Sequence, residues 1–108
     1  MIKDVPQNYF AKFAKDDNAK PHVIKFYSVS CHICDEIKKD YEKLAKDLSN
    51  EYKFVKVNID KEEKLSDLFS PDGVPTIVVY KDNNFHEIEY PNEGYTYKYL
   101  KEVLTKEE

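Results

Sequence analysis

The sequence has no arginine and no long apolar run, and each absence excludes a class of protein. All 17 basic residues of the 108-residue chain are lysines, and the formal net charge is -4. Because nucleic-acid recognition relies on positive charge and on the arginine fork, we expect no nucleic-acid partner. No stretch approaches the roughly 20 apolar residues of a membrane span, and the first ten residues lack the apolar segment of a secretory signal. We therefore expect a cytoplasmic protein without a membrane segment.

Cysteine is also scarce, with only Cys31 and Cys34 in the chain. Secreted domains that are held together by disulfides are much richer in cysteine. A bond across so short a loop would remove little entropy from the unfolded chain. If these two residues form a disulfide, the bond is expected to be reactive rather than structural.

The composition that is present favours one folded domain over residues 1–108. The aromatic content of 14% is too high for a disordered chain, although 35% of the residues are charged. A chain of this length can bury one compact core. We expect a single domain that acts as a monomer.

Hydrophobic periodicity predicts that strands and helices alternate. Strands are predicted at 22–28, 52–60, 75–81 and 85–90, with a possible short strand around 2–5. Helices are predicted at 8–17, from residue 31 over about five turns, at 61–69 and within 95–104. This order predicts an α/β protein: a three-layer α/β/α sandwich whose central mixed sheet has four to five strands flanked by helices.

Two of the predicted helices are amphipathic. The buried side of the long helix is predicted to comprise Ile33, Ile37, Tyr41, Leu44, Ala45 and Leu48. Its solvated side is predicted to carry Lys38, Lys39, Lys43 and Lys46. The buried face of the closing helix is predicted to carry Tyr97, Leu100, Val103 and Leu104. Of Tyr95, Tyr97 and Tyr99, two at helical spacing are expected to cover the core rather than form a binding stripe.

The two cysteines stand where the predicted strand 22–28 gives way to the long helix. At a helix N-terminus, unpaired N–H groups and the helix dipole stabilise a thiolate, so Cys31 is a candidate nucleophile. Cys34 would lie one turn further along, close enough to attack a mixed disulfide formed by Cys31. The spacing therefore indicates one attacking and one resolving cysteine.

These motifs resemble the thioredoxin superfamily over nearly the whole chain. The resemblance lies in "VIKFYSVSCHIC" at 23–34, "FVKVNID" at 54–60 and "GVPT" at 73–76. It implies a thioredoxin-like fold and a thiol–disulfide oxidoreductase that acts on protein disulfides or dithiols, with an electron donor or acceptor and no cofactor. It also implies a cis bond between Val74 and Pro75 that faces the cysteines, with the backbone of residue 74 pairing to an extended substrate.

Three residues around the cysteines depart from the usual family pattern. Ser30 stands where a surface tryptophan is common, which removes part of an apolar docking platform. His32 and Ile33 occupy the two positions between the cysteines. A protonated His32 would stabilise the thiolate and make the pair more oxidising, whereas Asp35 and Glu36 oppose this effect. We expect Ser30 and Ile33, together with Val74 and Pro75, to contact the substrate.

Lys25 is the sharper departure. The resemblance places it where a buried acid often helps to move the proton of the resolving cysteine, and it matches Lys56 to a lysine that commonly pairs with that acid. Without the acid, one of these lysines must reach solvent, find another carboxylate or lose its proton. A snorkelling surface lysine is the expected state of Lys25, with a neutral buried base as the alternative. Slower resolution of mixed disulfides is the expected consequence.

Two other functions remain open from the residues alone. The cysteines could form half of a zinc site with His22, His32 or His86 and carboxylates, but no second cysteine pair or paired-histidine spacing supports it, so no metal is expected. The three histidines are expected to be surface or hairpin residues. Alternatively, the chain could be a binding module of the same fold with little catalytic turnover, as the changes at Ser30 and Lys25 suggest.

Overall fold

The fold is known from a computed structural model, which describes residues 2–6, 9, 20–28, 37–61, 75–81, 84–92 and 94–105. The strands are β1 (Lys3–Asp4), β2 (His22–Tyr27), β3 (Lys53–Asn58), β4 (Thr76–Lys81) and β5 (Asn84–Ile88). The helices are α1 (Lys38–Asp47) and α2 (Tyr97–Thr105). All five predicted strands are therefore confirmed, α1 falls within the predicted long helix, and α2 overlaps the predicted closing helix but ends one residue later.

The five strands form one mixed sheet in the order β1-β3-β2-β4-β5. β1 and β2 both run parallel to β3, whereas β4 runs antiparallel to β2 and β5 antiparallel to β4. The register places Lys25 between Lys56 of β3 and Ile77 of β4. The carboxyl ends of β1, β2 and β3 and the start of β4 consequently meet at one edge of the sheet.

Helix α1 is joined to the sheet by a buried tyrosine. The Tyr41 side chain is fully buried, and its hydroxyl donates to the carbonyl oxygens of Val55 (2.8 Å) and Val23 (3.0 Å). Burial raises the pKa of this hydroxyl well above its ordinary value. Tyr41 therefore fixes the helix over β2 and β3 by hydrogen bonds as well as by packing.

Helix α2 begins where two oxygen atoms accept its first N–H groups. The hydroxyl of Thr96 accepts the Tyr99 N–H (3.1 Å), which is the usual bond of an N-cap threonine. A carboxylate oxygen of Asp40, on α1, accepts the Tyr97 N–H at 3.1 Å. These caps explain why the helix starts at Tyr97, so that Tyr95 precedes it.

Both faces of the sheet are buried, as the middle layer of a three-layer sandwich requires. One face packs with α1 and α2 around Val23, Ile77 and the apolar sides of both helices. The other face carries a second cluster of buried residues: Val5, Ile24, Phe26, Val55, Val57, Val78 and Tyr80. The helices predicted at 8–17 and 61–69 and the start of the long helix lie outside the described residues, apart from Tyr9 and Lys61.

Within the described residues, the predicted helix faces are confirmed apart from Val103, although Ala45 and Tyr97 are only half-buried against the core. Ile37, Tyr41, Leu44 and Leu48 are buried, the four lysines of the opposite face are exposed, and Tyr95 is buried in the core. The assignment of Val103 to the buried face was wrong, since 38% of its surface is exposed. Leu100 and Leu104 fill the interface with the sheet, and Val103 lies beside it. Neither helix in the described part of the chain is long and apolar enough to cross a membrane.

Candidate active site

The candidate site is the sheet edge at which β2 ends and β4 begins. Thr76 pairs with Phe26, and Pro75, which directly precedes Thr76, is buried. Pro75 therefore lies next to the carboxyl end of the strand that precedes the cysteines in sequence. Proline suits the first position of a strand because it has no N–H to donate.

The segment that carries the cysteines lies outside the described residues, but both of its flanks are defined. Before it, Ser28 is buried at 9% exposure and its hydroxyl donates to the Asp60 carboxylate at 3.2 Å. After it, Ile37 is buried and α1 begins at Lys38. The predictions that fall in residues 29–36 and at residue 74 are not tested; they concern Ser30, Cys31, His32, Ile33, Cys34 and Val74.

The expectation that Lys25 is a surface lysine was wrong. Only 4% of Lys25 is exposed, because β2 is flanked by β3 and β4 and α1 covers this face. Its ammonium lies 4.8 Å from the centre of the Tyr41 ring and 5.7 Å from that of Tyr27. These aromatic faces replace part of the water that the charge has lost.

Burial lowers the pKa of Lys25 from 10.5 to about 8, and the positive charge of Lys56 adds to the effect. The carboxylates of Glu42 and Asp4 oppose the shift without cancelling it. Lys25 therefore remains mostly protonated at neutral pH but releases its proton much more readily than an exposed lysine. This intermediate state lies between the two alternatives that the sequence leaves open.

Lys56 has found another carboxylate, as one of the sequence alternatives requires. Its ammonium lies 3.9 Å from an oxygen of Asp4, whose other oxygen accepts the Tyr27 hydroxyl at 2.8 Å. The same ammonium lies 5.5 Å from the centre of the Tyr27 ring. Burial first, and then the hydrogen bond to Asp4, raise the pKa of Tyr27 to about 12.

The predicted surface position of His22 was also wrong, since this side chain is only 3% exposed. Its Nε2 lies 2.7 Å from the Tyr9 hydroxyl and its Nδ1 lies 2.7 Å from the Lys20 carbonyl oxygen. Burial lowers its pKa. Since both ring nitrogens have hydrogen-bond partners, His22 is a poor candidate zinc ligand.

His86 lies exposed on the hairpin strand β5, as predicted. Among the described residues, no cluster of three or more His, Cys, Asp or Glu side chains could hold a metal ion.

Sequence reasoning missed the aromatic residues around Lys25. Tyr27 follows Lys25 by two residues in a strand, and this spacing alone predicts that the two side chains lie on the same face of the sheet. Tyr41 was predicted to be buried, but its position over Lys25 depends on how α1 crosses the sheet. Asp4 is brought to Lys56 by the parallel pairing of β1 with β3.

The structure is similar to solved thioredoxins. The germline-specific thioredoxin Deadhead of Drosophila melanogaster superposes with a TM-score of 0.77 over 96% of both chains, at 23% identity. Chloroplastic thioredoxin z superposes with the same TM-score over 95% of this chain and 90% of the other, at 19% identity. At this level of identity the similarity establishes the fold, which is the α/β thioredoxin fold.

Sequence comparison finds relatives in the same family. A protein disulfide-isomerase A6 homolog of Drosophila melanogaster is 32% identical over 83% of this chain and 20% of its own length. A thioredoxin of Borreliella burgdorferi is 36% identical over 55% of this chain and 50% of its own length. The chain thus spans half or less of these relatives.

The thioredoxin family model, by contrast, matches residues 1–106. This match covers nearly every residue, and the sheet order, the buried Pro75 and the superposed structures agree with it. The chain belongs to the thioredoxin family.

Proposed function

We propose that this chain is a thiol–disulfide oxidoreductase that exchanges protein disulfides through Cys31 and Cys34. The observation that carries the proposal is the family match over residues 1–106 in a sequence that keeps two cysteines at C-x-x-C spacing. The motif falls in sequence between β2 and α1, and the end of β2 lies beside Pro75. The family relatives named as thioredoxins and as a disulfide isomerase support the same class of reaction.

In the proposed reaction, the Cys31 thiolate attacks one sulfur of a protein disulfide. A bond forms between Cys31 and that sulfur, and the other substrate sulfur leaves as a thiolate that takes up a proton. Cys34, after losing its proton, attacks the Cys31 sulfur and releases the second substrate thiol. The substrate gains two electrons, and the pair becomes a Cys31–Cys34 disulfide that a separate dithiol donor must reduce. The reverse sequence oxidises a substrate dithiol.

Substrate contacts are assigned to the residues around the motif and to the start of β4. We place Ser30 and Ile33 beside the incoming disulfide and Pro75 opposite it. The backbone of Val74 pairs with an extended substrate segment, and the Val74–Pro75 bond is cis in this proposal. The buried position of Pro75 at the sheet edge supports this arrangement.

Three residues are proposed to modulate the cysteine pair: His32, Lys25 and Lys56. A protonated lysine favours a nearby thiolate by charge, and this effect makes the reduced pair more stable and the disulfide more oxidising. The family's buried acid, which would accept the proton of Cys34, is replaced here. The burial of Lys25 supports a direct electrostatic effect on the pair, with resolution slower than in members that keep the acid.

The proposal assigns the chain to the cytoplasm as a monomer, with partner proteins that carry disulfides or dithiols. The net direction of disulfide exchange depends on the reduction potential of the cysteine pair. A difference of about 30 mV in this potential corresponds to about 1.4 kcal/mol for a two-electron couple. The partner is defined only as a dithiol that reduces the Cys31–Cys34 disulfide or a disulfide that oxidises the two thiols.

Insulin reduction by dithiothreitol tests the proposal. The wild type should accelerate precipitation of the insulin chains, whereas Cys31→Ser should fall to the rate of dithiothreitol alone. Cys34→Ser should accumulate a mixed disulfide with insulin, which intact-mass spectrometry detects. The variant with both cysteines replaced gives the baseline.

Equal rates for the wild type and Cys31→Ser would contradict the proposal. That result would favour the alternative of a thioredoxin-fold binding module with little turnover. Circular dichroism of each variant establishes that the comparison is made between folded proteins.

A further inference from the structure

A groove of about 830 Å³ lies between the edge strand β1 and the carboxyl-terminal part of helix α1. Apolar side chains contribute to its surface: Ile2, Ala45, Tyr52 and Phe54. Tyr52 and Phe54 are each only 8% exposed, so they form the floor, while Ile2 and Ala45 are half-buried. The volume is within the range of pockets that bind ligands in proteins.

The rim of this groove is basic. It carries four lysines, Lys3, Lys20, Lys46 and Lys53, and one acid, Glu42. Lys20 donates to the Ser49 carbonyl oxygen at 2.8 Å. Within the described part of the chain, the other three lysines form no ion pair. A local excess of positive charge therefore exists on a chain whose net charge is -4.

We propose that this groove binds an extended, acidic peptide segment of a partner protein that carries an apolar side chain. Carboxylates of the segment would pair with Lys3, Lys46 and Lys53, and its apolar side chain would cover the floor. β1 lies at the edge of the described sheet, so the segment can run alongside it.

The same features disfavour a bare phosphate ligand. A phosphate would use only the lysines of the rim, and the apolar floor formed by Tyr52 and Phe54 would have no function for such a ligand. Charge together with apolar surface matches a peptide better than it matches a small anion.

This surface is separate from the proposed redox centre. The cysteines precede the amino-terminal end of α1, whereas Lys46 and Ser49 lie at its other end, and the ten residues of the helix span about 15 Å. Binding at the groove does not depend on the chemistry of the cysteines. Insulin reduction should accordingly be unchanged in the groove variants below.

The test is the affinity for a fluorescein-labelled peptide Glu-Asp-Phe-Asp-Glu, measured by fluorescence anisotropy. The groove variant is Lys3→Glu with Lys53→Glu. The matched control is Lys39→Glu with Lys98→Glu, which makes the same change of net charge at two exposed lysines outside the groove. We expect the groove variant to raise the Kd about tenfold, or about 1.4 kcal/mol, and the control to raise it less than about twofold.

Two further peptides separate the contributions. Replacing the acids by their amides should abolish binding, and replacing the phenylalanine by alanine should weaken it about threefold, since one apolar side chain contributes on this scale. If circular dichroism shows that the groove variant is unfolded, Lys46→Gln replaces it, with an expected rise in Kd of about threefold.

Several results would overturn the proposal. They are the absence of peptide binding by the wild type at millimolar protein, equal losses in the groove and control variants, and equal binding of the amide peptide. Tripolyphosphate that binds with the same dependence on Lys3 and Lys53 while the peptide does not bind would identify a general anion site instead.

Discussion

At the scale of the residue, the Lys25 ammonium lies among aromatic rings rather than in water. Its surroundings combine the faces of Tyr41 and Tyr27, the charge of Lys56 and two more distant carboxylates. Burying an ammonium without a carboxylate contact costs free energy, and among the residues that the structure describes Lys25 forms no ion pair. The lowered pKa of Lys25 reflects that cost. Lys25 therefore destabilises the folded protein.

This cost predicts the effect of Lys25→Met on stability. The apolar variant should increase the free energy of unfolding by about 2 kcal/mol at pH 7, where the wild-type lysine is charged in both states. Because the pKa of Lys25 is about 8 when folded and 10.5 when unfolded, the unfolded state holds more protons between these values. The contribution of Lys25 to wild-type stability therefore rises across this window, and the advantage of the variant should shrink between about pH 7 and pH 10.

Urea denaturation at both pH values measures this difference. Lys39→Met is the control, because Lys39 is exposed on α1 and does not contribute to the pKa shift of Lys25, so that its replacement should not stabilise the protein. A Lys25→Met variant that is less stable than the wild type, or whose advantage does not change with pH, would be inconsistent with this account of Lys25.

The missing acid gives a kinetic prediction at the same position. Lys25→Glu should accelerate the resolution of a mixed disulfide by roughly tenfold, because a carboxylate could accept the proton of Cys34 as a general base. Single-turnover reduction of a disulfide peptide, followed by rapid quenching, measures the resolution step. Lys39→Glu makes the same charge change on the exposed face of α1 and should leave the rate unchanged. Equal rates for the wild type and Lys25→Glu would count against a role for this position.

At the scale of the element, α1 is the helix that follows the cysteine motif in sequence, and it is fixed to the sheet. It begins four residues after Cys34, and the Tyr41 hydroxyl fixes it to the carbonyl oxygens of β2 and β3. Asp40, on the same helix, accepts the first N–H of α2. Any displacement of α1 would therefore disturb both the sheet contact and the start of α2.

Tyr41→Phe tests the strength of this connection. Removing a fully buried hydroxyl that donates to backbone should lower the free energy of unfolding by about 1–2 kcal/mol. Tyr99→Phe is the matched control, because its hydroxyl also donates to a backbone oxygen, that of Glu89, but at an exposed position. The control should change stability by less than about 0.5 kcal/mol. Similar values for both variants, from thermal unfolding followed by circular dichroism, would show that Tyr41 makes no special contribution.

At the scale of the whole molecule, the sequence predicts the order of the described elements because their signals are local. The β-branched and aromatic residues of 22–28, the alternation in 52–60 and the three- and four-residue spacing after Ile33 each lie within one element. The resemblance in the cysteine and proline motifs predicts the family and the position of Pro75 at the sheet edge. The contacts among residues 29–36 remain predictions.

What the sequence does not predict depends on contacts between elements. Lys25 looks like a surface lysine until Tyr41 of α1 is placed above it, and His22 looks exposed until Tyr9 lies against it. The basic groove requires β1 to lie beside the end of α1, which brings together residues from four separate parts of the chain. Long-range packing decides these features, and residue spacing carries no direct signal of it.

The central proposal is that Cys31 is an activated thiolate and that Cys34, which the helical spacing predicts on the buried side of the long helix beside Ile33 and Ile37, is its shielded partner. The most direct measurement is the rate of iodoacetamide alkylation of each thiol in the fully reduced protein, followed by mass spectrometry across a range of pH. The account predicts that Cys31 is alkylated first at neutral pH, with an apparent pKa below the roughly 8.5 of an ordinary thiol, while Cys34 reacts much more slowly. If neither thiol reacts at neutral pH, or if Cys34 reacts before Cys31, the claim is contradicted.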